Sequence, residues 1–217
     1  MEIIAKKCTS IALRSIFNSL SEARQLYMEH RVNEFISTIE DQVEYLDAER
    51  QAEINIFLGK KNSQKFLSDY AAAITNTSSD IVIRALALLF VSDKQFDFDQ
   101  RLKSRFITCF DGVDDLKVDL FLRLSKLTES SRLTIYPLYA IDWLNFEDLD
   151  LGIDIDELFS YVDDFIRRGI LLRDPTTESG AEMYQPMDHH WSLSFGISTT
   201  LQRYAVLLEK AKYLSGN

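Results

Sequence analysis

The segment from Asp80 to Val91 runs Ile81, Val82, Ile83, Arg84, Ala85, Leu86, Ala87, Leu88, Leu89, Phe90, and it is apolar on almost every side of a helix apart from Arg84. A helix with one apolar stripe rests on a surface, whereas one that is apolar all round must be enclosed by other elements. The fold is therefore built around this segment, and at 217 residues the chain is long enough to enclose it. Asn76, Thr77, Ser78, Ser79 and Asp80 precede it with side-chain oxygens suited to capping its first free N–H groups. With 7 glycines and 3 prolines, the chain lacks the turn residues that sandwich-type or collagen-like folds require.

Helices are available on both sides. Met28, Val32, Phe35/Ile36, Ile39, Val43 and Leu46 recur at steps of three and four, which predicts one buried stripe, and no Gly or Pro interrupts Glu22 to Leu58. This seam covers fewer than three heptads and fits a helical hairpin within the chain better than a free coiled coil, with homodimerisation through it as a lesser alternative. Further helical patterns cover Gln64–Ile74 and Phe98–Phe110, where Phe96, Phe98, Phe106 and Phe110 fall at core spacing. Lys60, Lys61 and Lys65, with Arg101, Lys103 and Arg105, would form a small basic patch if their helices were neighbours. The turn Asp111-Gly112-Val113-Asp114-Asp115 marks the expected boundary between a helical domain, 1–112, and a second domain, 113–217.

Charge is distributed unevenly across that boundary. Thirteen of the 34 acidic residues but only three of the 24 basic ones lie between Ile141 and Asp188, so the whole net charge of -10 belongs to that stretch. Such an asymmetry bears on partners more than on fold, and it disfavours binding to phosphate backbones. Cys8 and Cys109 lie far apart without a Cys-x-x-Cys, which suits a reduced, cytoplasmic protein with buried thiols. The uncharged run Cys8–Leu13 is too short for a signal-peptide core, and His189–Gln202 is too short and too polar for a membrane span, so neither export nor a membrane is expected.

Beyond the boundary the order of elements changes. Leu116–Leu127 reads as an amphipathic helix, Arg132–Tyr136 as a short strand-like run, and Pro137–Leu144, extending toward Leu149, as a helix opened by proline. Asp154 with Glu157 three residues on forms a capping-box pattern, Leu158, Val162, Phe165 and Ile166 make a buried stripe, and Gly169 ends the helix. Ile170–Leu172 and Trp191–Phe195 follow as strands around a polar loop, Asp174–Asp188, and Thr199–Leu214 as a last helix.

This succession, with Arg167-Arg168-Gly169-Ile170-Leu171 at the helix-to-strand junction, resembles a winged helix-turn-helix domain over residues 116–196. The resemblance implies that Ile155–Arg168 takes the place of the recognition helix and Pro175–Asp188 that of the wing. Such domains serve DNA reading and protein contacts alike. A DNA-reading helix carries Lys, Arg, Asn, Gln or Ser toward the bases, but this one carries Asp154, Asp156, Glu157, Asp163 and Asp164 against Arg167 and Arg168. Five carboxylates facing phosphates outweigh two guanidiniums.

No phosphate-binding glycine loop, nucleophile elbow, His-Glu-x-x-His or zinc-finger spacing is present, so no enzymatic activity, cofactor or metal is expected. The acidic run from Asp148 fails the EF-hand template at Gly152 and Ile153 and reads as an extended connector with outward carboxylates. His189 and His190 are adjacent on a strand start and would point to opposite faces. His30 stands alone on a helix surface. The expectation is a mostly α protein, an N-terminal multi-helix region packed with a C-terminal winged-helix-like module holding a small β-hairpin. Its expected role is non-enzymatic regulation or protein interaction, with Asp156, Tyr161, Asp163, Asp164, Arg167 and Arg168 binding a basic partner. A DNA-binding regulator and a nucleic-acid-mimicking inhibitor are the alternatives.

Overall fold

The computed structural model describes residues 25–42, 63–91, 96, 98–130, 134–175 and 191–214. They form a mostly helical protein with a small antiparallel sheet. The helices are α1 (25–42), α2 (Ser63–Asn76), α3 (Asp80–Val91), α4 (Gln100–Phe110), α5 (Asp115–Leu124), α6 (Ile155–Arg168) and α7 (Thr199–Leu214). The strands are β1 (Leu138–Asp142), β2 (Leu172–Arg173) and β3 (Ser192–Gly196), with β3 in the middle.

α3 lies where its apolar surface requires it. Ile83, Ala85, Leu86, Ala87, Leu88 and Leu89 are wholly buried, and α2, α4, α5 and α7 pack around the helix. Its start is fixed by local chemistry. The Ser79 hydroxyl accepts from the Val82 N–H at 3.0 Å and donates to Asp115 at 2.5 Å, while Thr77 donates to the Val113 carbonyl at 2.9 Å. The cap of α3 is thus also a tie to the start of α5. The four aromatics read as core are buried, with Phe106 and Phe110 stacked at 4.6 Å and Tyr204 of α7 against Phe98, Phe106 and Phe110.

Three sequence readings are corrected by the structure. α1 does not bury the whole of its predicted stripe. Met28, Phe35 and Ile39 are half-buried, with the Phe35 ring against Tyr70 and Phe90, but Val32 and Ile36 are exposed, and Arg31 and Thr38 are buried instead. The cause is polar docking. Arg31 donates to the Thr75 carbonyl in the last turn of α2 and stacks on Tyr27 at 3.8 Å, while Arg84 reaches across to Glu34 at 2.6 Å. Val43 and Leu46 lie outside the described residues, as do Cys8, Lys60, Lys61, His189 and His190. The second basic cluster is also broken up, because Lys103 is buried while Arg101 and Arg105 are exposed.

The third correction concerns Pro137, which opens a strand and not a helix. Its carbonyl accepts from Ile197, and Leu138–Asp142 pairs with Ser192–Gly196 in register, burying Leu138, Tyr139 and Ile141. Tertiary pairing overrides the helix-start signal. The helical turn begins only after the strand, at residues 143–149, and Ile135 and Tyr136 form a bend before β1, not a strand. The outer edge of β1 is covered: Ser130 N–H donates to the Leu138 carbonyl at 2.7 Å, and the Asn145 amide accepts from Asp142 N–H at 2.9 Å.

Candidate functional site

α6 has the boundaries and the capping box that its sequence dictates. The Asp154 carboxylate accepts from Glu157 N–H at 2.8 Å, the Glu157 carboxylate accepts from Asp154 N–H at 3.2 Å, and Gly169 closes the helix in the left-handed region at φ 76°. Leu158, Phe159, Val162 and Phe165 are buried. The outward stripe is Asp156, Ser160, Asp163 and Arg167, residues at helical spacing that are all exposed.

The six residues singled out from sequence divide into two groups. Asp156, Asp163 and Arg167 project into solvent, and Arg167 pairs with Asp163 at 3.2 Å on the helix surface. Asp164, Arg168 and Tyr161 turn toward the protein. Asp164 receives Lys117 of α5 at 2.7 Å and the Arg168 Nε at 3.0 Å. Arg168 also donates to the Asp111 carbonyl at the end of α4 at 2.6 Å, and Lys117 lies over the Tyr161 ring at 5.5 Å. These three residues therefore hold α4, α5 and α6 together and are not part of a free acidic surface. Sequence spacing shows the pair Asp164 and Arg168, but not that Lys117 and Asp111 complete it.

Burial alone would raise the Asp164 pKa, but the hydrogen bonds and charges of Lys117 and Arg168 outweigh it and hold the carboxyl below its ordinary range. A group depressed in the folded state stabilises the fold above its unfolded pKa, and that contribution is lost as pH falls through the folded value. Asp164→Asn is therefore expected to be less stable than the native protein at neutral pH. Chemical denaturation at a series of pH values should show the gap narrowing as pH drops below about 4. A gap independent of pH would mean that the ion pairs contribute nothing.

Many acids of the C-terminal third serve local structure in the same way. Asp142 accepts from the N–H groups of Leu144 and Asn145, each at 3.0 Å, Asp154 and Glu157 form the capping box, and the buried Asp174 accepts from Ser194 at 2.7 Å. Among the described residues, what is left outward is Glu147, Asp148, Asp150, Asp156 and Asp163, all exposed. Between the acids of the connector, Leu149, Leu151, Ile153 and Ile155 are half-buried against the core, so the alternation read from sequence holds. A 3-10 turn, Glu147–Leu149, replaces its first part, and Asp150 takes the left-handed conformation at φ 42°.

Elsewhere burial acts on a tyrosine and a thiol of the core. Tyr204 is pushed up to about 12 by burial and donates to the Leu102 carbonyl at 2.6 Å. Burial likewise raises the Cys109 thiol, so it is a poor nucleophile at neutral pH. Among the described residues, no group of three or more His, Cys, Asp or Glu converges to hold a metal ion, and no helix is long and apolar enough to cross a membrane. Comparison of the chain with family models, curated proteins and solved structures found no match.

Proposed function

We propose that the protein is a non-enzymatic interaction module that captures a basic partner on the outward acidic face of α6 and the connector before it. The observation that carries this reading is that Asp148, Asp150, Asp156 and Asp163 are exposed together on one stretch of chain, with Arg167 the only exposed base of α6. Such a face attracts cationic surfaces and speeds encounter with them. The order α5, β1, helical turn, α6, β2, β3, with β3 between the other strands, supports a winged-helix-like module as the scaffold. Its acidic helix disfavours DNA reading in the usual manner.

The test is affinity capture from the native cell with the full chain and with Asp148→Lys/Asp156→Lys/Asp163→Lys. These carboxylates make no contact between elements, and their reversal disturbs only the surface pair of Asp163 with Arg167 and the acid in the first turn of α6, so the variant should stay folded and unfold only slightly below the native protein. The native chain is expected to retain basic proteins, with capture falling at least tenfold in the variant. Equal capture by both removes the proposal, as does tight binding of duplex DNA by the native chain at low salt.

A further inference from the structure

Residues 143–149 form a short helical turn with two unlike faces. Phe146 N–H donates to the Asp142 carbonyl at 3.0 Å and Leu149 N–H to the Asn145 carbonyl at 3.2 Å, both of the i to i+4 kind that defines helical spacing. Phe146 and Leu149 turn inward, and the Phe146 ring meets Trp191 at 5.5 Å, which in turn meets Phe159 of α6 at 5.4 Å. Trp191 thereby holds this turn beside the first half of α6. The opposite face carries Trp143, 43% exposed, and Leu144, 65% exposed. At helical spacing, Trp143 lies beside Glu147, and Leu144 beside both Glu147 and Asp148, and both acids are exposed.

Apolar surface that stays exposed on a tryptophan and a leucine is costly to solvate, and tryptophan is the residue type most often found at the energetic centre of an interface. The acids beside them select the occupant. Carboxylates repel an anionic bilayer or a nucleic acid and leave a surface that is apolar at its centre and negative at its rim. Its complement is an amphipathic segment with apolar side chains on one stripe and Lys or Arg along the borders.

Resting on the acidic-face reading above, we infer that Trp143 and Leu144 are the apolar anchor of that same surface, and that the partner presents a basic amphipathic helix to it. The acids of α6 and the connector then supply attraction and orientation, while Trp143 and Leu144 supply the slow dissociation that screened surface charges cannot.

The experiment uses the full chain and two fluorescent 14-residue peptides of equal charge, one alternating lysine with leucine at helical spacing and one with serine in place of leucine. By fluorescence anisotropy at low salt, the Lys/Leu peptide is expected to bind at least tenfold more tightly than the Lys/Ser peptide. Trp143→Ser/Leu144→Ser should abolish that advantage and leave Lys/Ser binding unchanged, whereas Val206→Ser, at an exposed apolar site on α7, should preserve it. Glu147→Lys/Asp148→Lys should weaken both peptides. Equal binding of the two peptides, an advantage that survives the double serine variant, or uptake by anionic vesicles overturns the inference. Failure of the Lys/Ser peptide to bind at all overturns instead the acidic-face reading beneath it.

Discussion

Leu86→Ala is expected to lower the unfolding free energy by about 2–5 kcal/mol, the range for emptying a leucine site in a closed core. Leu86 is wholly buried in α3, a helix that packs against helices on both sides of residue 112. The lost methyl groups leave a cavity that enclosing helices cannot fill without moving against one another. The consequence reaches beyond the site of substitution. The chain has two tryptophans, Trp143 and Trp191, and both lie after residue 112, whereas circular dichroism at short wavelength reports the helices of the whole chain. α3 packs on α5 and α7, and Ser79 and Thr77 tie its start to Asp115 and Val113. Urea unfolding followed by the two signals should therefore shift to the same lower midpoint. A tryptophan transition that stays at the native midpoint while the helical signal moves would show that residues 113–217 unfold as a unit of their own.

The elements legible in the sequence are those whose causes are local. Asp154, Glu157 and Gly169 determine the ends of α6 within three residues of each boundary, and the apolar surface of Asp80–Val91, broken only by Arg84 and the leading Asp80, demands enclosure whatever encloses it. Thr199–Leu214 likewise has the bounds that its amphipathic pattern predicts. What could not be read depends on groups far along the chain. β1 is a strand because Ser192–Gly196, some fifty residues later, pairs with it, and nothing near Pro137 announces that. The rotation of α1 follows from Arg31 meeting a carbonyl 44 residues away.

The candidate site shows the same division. Helical periodicity separates Asp156, Asp163 and Arg167 from the buried stripe, and these residues are on the surface. It also places Asp164 and Arg168 on the flank of the helix, where their fate depends on what lies opposite. Lys117 comes from α5, 47 residues earlier, and Asp111 from the end of α4, so the network that consumes them is a property of the packing alone. The apolar pair Trp143 and Leu144 escaped notice for a related reason. Read as the end of a longer helix from Pro137, they have no distinctive face; only a strand ending at Asp142 and a fresh turn beginning there set them outward next to Glu147 and Asp148.

Gly196→Ala is expected to destabilise the sheet by about 2–3 kcal/mol, toward the upper end of what inserting a methyl group into a packed site costs. Gly196 lies in the central strand, paired with Leu138 on one side and Leu172 on the other. The Tyr136 ring covers it so closely that an added Cβ would lie 2.2 Å from Cε2 and 2.4 Å from Cδ2, with the Leu172 Cβ at 3.3 Å. Because Cδ2 sits near the root of the ring, a small tilt does not clear the clash; the whole side chain must change rotamer. In leaving, it gives up the hydrogen bond from its hydroxyl to the Arg173 carbonyl, which bridges the bend before β1 to β2. Burial and the nearby Asp174 charge raise the pKa of that hydroxyl, so it remains a donor at neutral pH. If the ring is the obstacle, its removal should relieve the cost. In a Tyr136→Ala background, adding Gly196→Ala should cost less than half of what it costs alone, a coupling measurable from urea midpoints of the four proteins. Additive losses would instead mean that the alanine is resisted by the backbone and by Leu172, and that Tyr136 moves aside freely.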